Sequence, residues 1–220
     1  MCIRDRENVA RIVKTQKLVE ARHIFLEAGY GLTQTVLDAS LCGVPQARKR
    51  FVLIGCLDEQ EDFLMDTIKS KLAKKQMTVA EYFGQELDIK YYYRHPRSYK
   101  RRGIFSVDEP SPTIRGVNRP LPIGYPIHPG DPVQSVEGIR PLTTEERSRI
   151  QTFPKNFNFV GSKTDKEQMI GNAVPVNLGK FLGDCIQTYM DNHPQTAPDN
   201  NELPAVDDCM DEIAPNYVPY

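Results

Sequence analysis

One stretch constrains the fold of this chain more than any other: Arg50-Phe51-Val52-Leu53-Ile54-Gly55-Cys56-Leu57. Alternate side chains of an extended segment point to opposite faces. A run that is apolar at successive positions therefore needs cover on both faces, which is the condition of a central strand. "QTVLDA", residues 34–39, supplies a second strand, and the loop between the two carries Gly43 and Pro45. Helical signals surround the pair. Residues 9–28 show partial helical spacing in Ile12, Val13, Ile24, Phe25 and Ala28, with Gly29 as a stop. Residues 61–76 predict a helix with Phe63, Leu64, Ile68 and Leu72 inside. Later, Thr143 and Glu146 form a capping box and Pro154 closes that segment, while Asp165 caps "KEQMIG". Pro175 then opens a helix whose Leu178, Phe181, Leu182, Cys185, Ile186 and Tyr189 share one face.

The expected architecture is thus an α/β body formed by residues 1–75 and 140–190. Residues 76–139 interrupt it. From 90 to 140 prolines are frequent and apolar periodicity disappears, so an irregular module is expected there. Residues 191–220 carry seven acids and no Lys or Arg, and predict a disordered tail. The chain of 220 residues has 28 basic and 29 acidic side chains. Setting the tail aside leaves 28 basic against 22 acidic in the first 190 residues, a net charge of +6. A basic body points to a polyanionic partner, or simply to good solubility. The five cysteines form no C-x-x-C pair and no cluster with histidine, so no metal site is expected and the thiols read as reduced and intracellular. No apolar run approaches the ~20 residues of a membrane span, and no signal peptide is visible.

The insert opens with "KYYYRHPRSYKRRG", in which Lys90, Arg94, Arg97, Lys100, Arg101 and Arg102 alternate with Tyr91, Tyr92, Tyr93 and Tyr99. Cations neutralise phosphates and tyrosines stack on bases; the competing reading is a solvated basic loop with core tyrosines. "SPTIRGVNRPLP" adds Arg115, Asn118 and Arg119, residue types that read guanine and adenine bidentately. Ahead of the insert, Gln46, Arg48 and Arg50 sit at alternate positions, so an extended chain turns an amide and two guanidiniums to one side. In "IGNAVPVNLGK", Gly171 allows close backbone approach to a ligand and a helix start follows.

Taken in order, four segments resemble the C-terminal half of the DNA cytosine-5 methyltransferases. "ENV" (7–9) is similar to that family's glutamate motif and "GVPQARKRFVLIG" to its Q-x-R-x-R motif. "RPLTTEERSRIQTFP" resembles the motif after the target recognition region, and "QMIGNAVPVNLGK" the last motif. The resemblance implies part of a Rossmann-like, S-adenosylmethionine-dependent methyltransferase domain with a small, irregular target recognition domain inserted. It implies double-stranded DNA as partner, since the family acts on a cytosine flipped out of the duplex. A thiolate adds to C6, C5 takes the methyl group, and charge develops at N3 and O2. Glu7 would meet N3 and the exocyclic amine, with a carboxyl pKa raised by burial. Arg50 would meet O2, Arg48 would hold the neighbouring backbone or Glu7, and Gln46 would fix the loop and face DNA. Asn172 and Val174 would line the methionine end of the S-adenosylmethionine site with Gln168 in support, and Arg140 and Thr143 would shape the junction of the lobes.

The family's nucleophile is a cysteine in a Pro-Cys motif upstream of the glutamate. Cys2, Cys42, Cys56, Cys185 and Cys209 all lack a preceding proline, and no F-x-G-x-G cofactor loop occurs in these residues. The expectation is therefore a C-terminal portion of a methyltransferase of a prokaryotic restriction–modification system, cytoplasmic and nucleoid-associated, inactive without its N-terminal catalytic half. The alternative is a DNA-recognition subunit that partners a separate catalytic chain.

Overall fold

The computed structural model describes residues 3–98 and 100–193. The expected disordered tail lies, apart from its first three residues, outside the described residues, as does Tyr99.

Strand β4 (Lys49–Leu57) is central, as its two apolar faces require. It is flanked by β1 (Ile3–Val9) and β2 (Tyr30–Asp38), both antiparallel to it. Phe51 and Leu53 point into one cluster with Leu18 and Leu32, under helix α1 (Gln16–Glu27). Val52 and Ile54 point the other way, into a cluster with Leu64 and Ile68 of the α2 region (helix Met65–Lys71) and with Leu178, Leu182, Cys185 and Tyr189 of α6 (Val176–Asn192). Burial of each such side chain contributes about 1.5–3 kcal/mol, so this two-sided packing fixes the register of β4.

The first strand is a correction. "ENV" ends a seven-residue strand, and the helix expected from residue 9 begins only at Gln16, after a 3-10 turn at Ala10–Lys14. Local polarity in "RDRE" argues against a strand, but pairing with β4 satisfies the backbone groups along one edge of that central strand. The register sets Glu7 opposite Val52 and Val9 opposite Arg50.

A second lobe follows. Helix α3 (Val79–Phe83), the hairpin of β5 (Tyr91–Tyr93) and β6 (Ile104–Ser106), and strand β7 (Ser111–Pro112) share a core with α4 (Thr144–Ile150) and α5 (Lys163–Asn172). Tyr92, Phe105, Ile114, Leu142, Ile150 and Ile170 are buried in it. Packing therefore divides the 140–190 stretch: α4 and α5 side with the insert, and α6 returns to the three-stranded sheet. Thr143 and Glu146 form the anticipated capping box. Helix α5 starts earlier than "KEQMIG" suggests, because Ser162 is its cap and Asp165 occupies the third position of that box. The lobes are stitched by a parallel pairing of β3 (Gln46–Ala47) with β7.

Gly171 works differently from expectation. A Cβ there would lie 2.1 Å from the Gly116 nitrogen and 2.3 Å from the Arg115 carbonyl carbon. Its missing side chain lets α5 lie against the chain's own 115–116 backbone. Gly171→Ala should therefore cost more than about 2 kcal/mol in urea denaturation, since backbone must move to admit the methyl group. Gly179→Ala, in open space on α6, should be neutral or stabilising by up to about 1 kcal/mol.

Candidate active site and nucleic-acid groove

Gln46, Arg48 and Arg50 do not lie on one continuous strand. The chain breaks between β3 and β4 at Arg48, and the three side chains take different surroundings. Gln46 is fully buried at 0% exposure. Its Nε2 donates to Gln151 Oε1 at 2.8 Å, and its Oε1 accepts from the Ile114 N–H at 3.0 Å. It fixes the loop and does not face DNA, which corrects its assignment as a DNA contact. Gln151 in turn donates to the carbonyls of Ile170 and Ala173.

Arg48, 3% exposed, donates to the carbonyls of Ile114, Gly171 and Ala173 at 3.2–3.4 Å. Burial, and then the neighbouring Arg50, bring its pKa down to about 10. It holds backbone, one of the two alternatives the sequence leaves for it. With Gln46 and Gln151 it ties three segments that are far apart in the chain: 46–48, 114 and 170–173.

Arg50 is the member of the trio that meets Glu7. Its Nε lies 2.6 Å from Glu7 Oε1, and Nη1 donates to the Lys49 carbonyl at 2.9 Å. Burial lowers the Arg50 pKa and the carboxylate of Glu7 opposes that shift. A polar pocket of about 320 Å³ is lined by Glu7, Asn8, Val9, Arg48, Arg50, Gly171 and Asn172. Of the three expected cofactor contacts, Asn172 reaches this pocket. Val174 exposes 39% of its surface, and the Gln168 side chain packs on Gly116.

Val9 and Arg50 also line a larger groove, of about 820 Å³, with Arg94, Arg97, Lys100, Arg101, Arg102 and Arg115. Six of the nine residues expected to touch DNA are therefore brought together. Their states differ. Arg97, Lys100 and Arg101 are exposed. Arg94 donates to the Thr113 carbonyl at 2.8 Å, and burial followed by the charge of Arg115 lowers its pKa to about 10. Arg115 donates to the His95 carbonyl, and burial, Arg97 and Arg119 all depress its pKa. Arg102 pairs with Glu109 and lies 4.4 Å over the Phe105 ring. The guanidiniums repel one another, with no carboxylate within 4.0 Å of Arg94, Arg97 or Arg115 among the described residues, so the groove is strongly electropositive.

Asn118 and Arg119 do not line this groove. The Asn118 amide donates inward to the Leu142 carbonyl at 2.8 Å and to Glu167 at 3.3 Å, so it braces the lobe and does not offer its donors to a base. Arg119 is exposed and its charge acts on His95. Tyr92 and Tyr93 are core residues, packed on Phe105 and Tyr125, so these two of the expected stacking tyrosines belong to the interior. Arg140 pairs with Glu146 at 2.6 Å, next to the Thr143 cap. Sequence reasoning missed the buried Arg147–Glu167 pair at 2.7 Å and the contacts that Tyr125 and Asp131 make within the 121–131 loop. The helical position of Arg147 reads as surface, and nothing in the loop's spacing marks it.

Solved structures place this arrangement in the α/β methyltransferase fold. Dnmt2 methyltransferase of S. pombe superimposes with a TM-score of 0.56 at 15% identity, over 87% of this chain and 67% of that one. A putative DNA modification methyltransferase encoded within an E. coli prophage gives 0.56 at 17%, over 86% and 70%. The chain belongs to the C-5 cytosine-specific DNA methylase family, whose profile matches residues 6–188. It is 60% identical over 185 residues to the Type II methyltransferase M.HindV of Haemophilus influenzae, and 55% identical over 189 residues to the Type II methyltransferase M.HgiDI of Herpetosiphon aurantiacus. These alignments cover 83% and 86% of this chain but 60% of each relative. Among the described residues, no helix is long and apolar enough to cross a membrane, and no His/Cys/Asp/Glu group is arranged to hold a metal ion.

Arg48 and Arg50 should separate cleanly by unfolding. Arg48→Leu removes the side-chain donor from the buried carbonyls of Ile114 and Gly171, and one of two from Ala173, and should lower stability by about 2–4 kcal/mol. Arg50→Leu removes one partly exposed pair and should cost under about 1 kcal/mol. Cys42 and Cys185 are buried thiols, pushed up to about 12 and about 11 by desolvation first. At pH 8 iodoacetamide should leave both unmodified in the folded protein and alkylate both after denaturation.

Proposed function

We propose that these residues supply the base-binding and DNA-recognition part of a DNA cytosine-5 methyltransferase of a bacterial restriction–modification system, acting in the cytoplasm on double-stranded DNA. The observation that carries this is the position of Arg50. It pairs with Glu7 in the small polar pocket and also lines the cationic groove. A duplex along the groove brings a flipped base to the pocket mouth. Flipping is required, because C5 and C6 of a stacked cytosine are inaccessible to a nucleophile.

In this reading the Glu7 carboxyl group donates its proton to N3 and accepts from the exocyclic amine, and Arg50 donates to O2. Both oppose the charge that develops as C6 is attacked. Arg48, with Gln46 behind it, is a positioning residue: it clamps the carbonyls of the 170–173 turn, from which Asn172 reaches the pocket. S-adenosylmethionine, when bound, supplies the electrophilic methyl group. Asn172 fits an edge of its site, and Val174, partly exposed two residues on, fits the rim. Gln168 does not fit, and the remainder of that site, like the nucleophilic cysteine, lies outside these residues. We propose residues 1–75 and 140–190 as the catalytic part and 76–139 as the recognition region. A cationic groove complete within one chain also suits a recognition subunit that works with a separate catalytic polypeptide.

Two measurements test this together. Purified residues 1–220 should bind a 20-base-pair duplex with affinity that falls steeply with salt, and transfer no labelled methyl group from S-adenosylmethionine. Addition of a polypeptide bearing the Pro-Cys motif and the Gly-rich loop should restore transfer, and Glu7→Ala should then lower kcat by at least about 100-fold. Transfer by residues 1–220 alone, or full turnover in the Glu7→Ala protein, rejects the assignment.

A further inference from the structure

We propose that Asp131 is a positioning residue for DNA binding, which clasps the 100–104 turn from behind and thereby aims Lys100, Arg101 and Arg102 across the groove. The proposal rests on the reading of the groove as a DNA surface and adds what sets its shape. Asp131 is 8% exposed and lines neither the polar pocket nor the groove, which it reaches through His128, a groove-lining residue. Its Oδ1 accepts from the Gly103 and Ile104 N–H groups, both at 3.0 Å. Its Oδ2 accepts from the Tyr125 hydroxyl and the His128 N–H, both at 2.8 Å. The Tyr125 oxygen itself accepts from the Gly103 N–H at 3.0 Å. One carboxylate thus gathers four donors from two segments, 103–104 and 125–128.

A second contact closes the same clasp. The Gly130 N–H donates to His128 Nδ1 at 2.9 Å, and His128 Nε2 lies 3.1 Å from the Lys100 carbonyl. A backbone N–H only donates and a carbonyl only accepts, so the ring is the neutral tautomer protonated on Nε2. Asp131 and His128 together grip the basic turn at 100 and at 103–104. Gly103 permits the fit: a Cβ there would lie 2.8 Å from the Tyr125 oxygen.

Such a clasp matters because Lys100 and Arg101 are exposed cations that line one groove with Arg97 and Arg115. Their repulsion opposes this arrangement when no phosphate is present. Burial pushes the Asp131 carboxyl up, but bonds from Ile104, His128, Tyr125 and Gly103 outweigh it and hold the group below the usual carboxylate range. It remains an acceptor at neutral pH. The charged side chains held by the turn then meet phosphates without first paying the entropy of finding their places.

The test is fluorescence anisotropy of a labelled 20-base-pair mixed-sequence duplex with residues 1–220, from low to moderate salt. Asp131→Asn should raise Kd at least about 10-fold and lower the slope of log Kd against log salt by about 2, the loss of about two phosphate contacts. Lys100→Ala with Arg101→Ala should produce a similar loss. Adding those changes to the Asp131→Asn chain should cost almost nothing more, because cations that are no longer aimed have little left to lose. A merely structural Asp131 would lower the melting temperature, keep the salt slope and let the two losses add; that outcome overturns the proposal. If Asp131→Asn fails to fold by circular dichroism, Tyr125→Phe, which keeps the ring and removes one bond to the carboxylate, carries the same comparison with a smaller expected loss. A wild-type chain that binds no duplex refutes the DNA reading of the groove, whereas wild-type binding with additive losses refutes only the role of Asp131.

Discussion

A guanidinium buried among carbonyls holds the two lobes together. Arg48 has no carboxylate within 4.0 Å among the described residues, yet it is almost wholly enclosed. Its charge is balanced by the negative ends of three peptide dipoles, those of Ile114, Gly171 and Ala173. Desolvating a cation is costly unless its donors are used, and this site engages both terminal nitrogens of the guanidinium. Gln46 and Gln151 complete it by bonding each other and the same two segments. The strand break at Arg48 follows directly: a continuous strand would keep its backbone in the ladder and could not send Gln46 and Arg48 into the interlobe space.

That arrangement places chemistry at a boundary. The sheet fixes Glu7 through its register opposite Val52. The second lobe presents the basic turn. Arg50 stands where the two meet, because Val9, its partner in the β1–β4 register, ends the first strand. The geometry of the site is thus a property of lobe packing, and the small-residue approach of Gly171 to Gly116 is part of the same requirement. Two backbones come within contact distance there so that the carbonyls held by Arg48 lie within reach of one guanidinium.

Much of the body was legible in the sequence. A strand apolar on both faces needs cover on both, and the clusters above and below β4 supply it. The capping box at Thr143 and the apolar face of α6 follow local rules that tertiary context did not override. The first strand was not legible, because "IRDREN" becomes a strand only through its partner. The insert was half legible. Six of its cations line the groove and Lys90 and Arg119 do not, while periodicity cannot tell a stacking tyrosine from a core one, and Tyr92 and Tyr93 went inside. Asn118 and Gln46 mislead for one reason. An amide suited to reading a base edge is equally suited to satisfying buried carbonyls and N–H groups, and an interface between lobes has many of those.

The Glu7–Arg50 pair shows how such a site waits for its ligand. The guanidinium spends Nε on Glu7 and Nη1 on the Lys49 carbonyl. These two bonds hold its plane and leave Nη2 for a group in the pocket. Glu7 likewise engages Arg50 through Oε1 and keeps Oε2 for another donor. Each side chain orients the other. Preorganisation of this kind costs little stability when the pair is partly exposed, and in the function proposed above it would spare the reaction the reorganisation that a free arginine and a free glutamate would each require as charge develops.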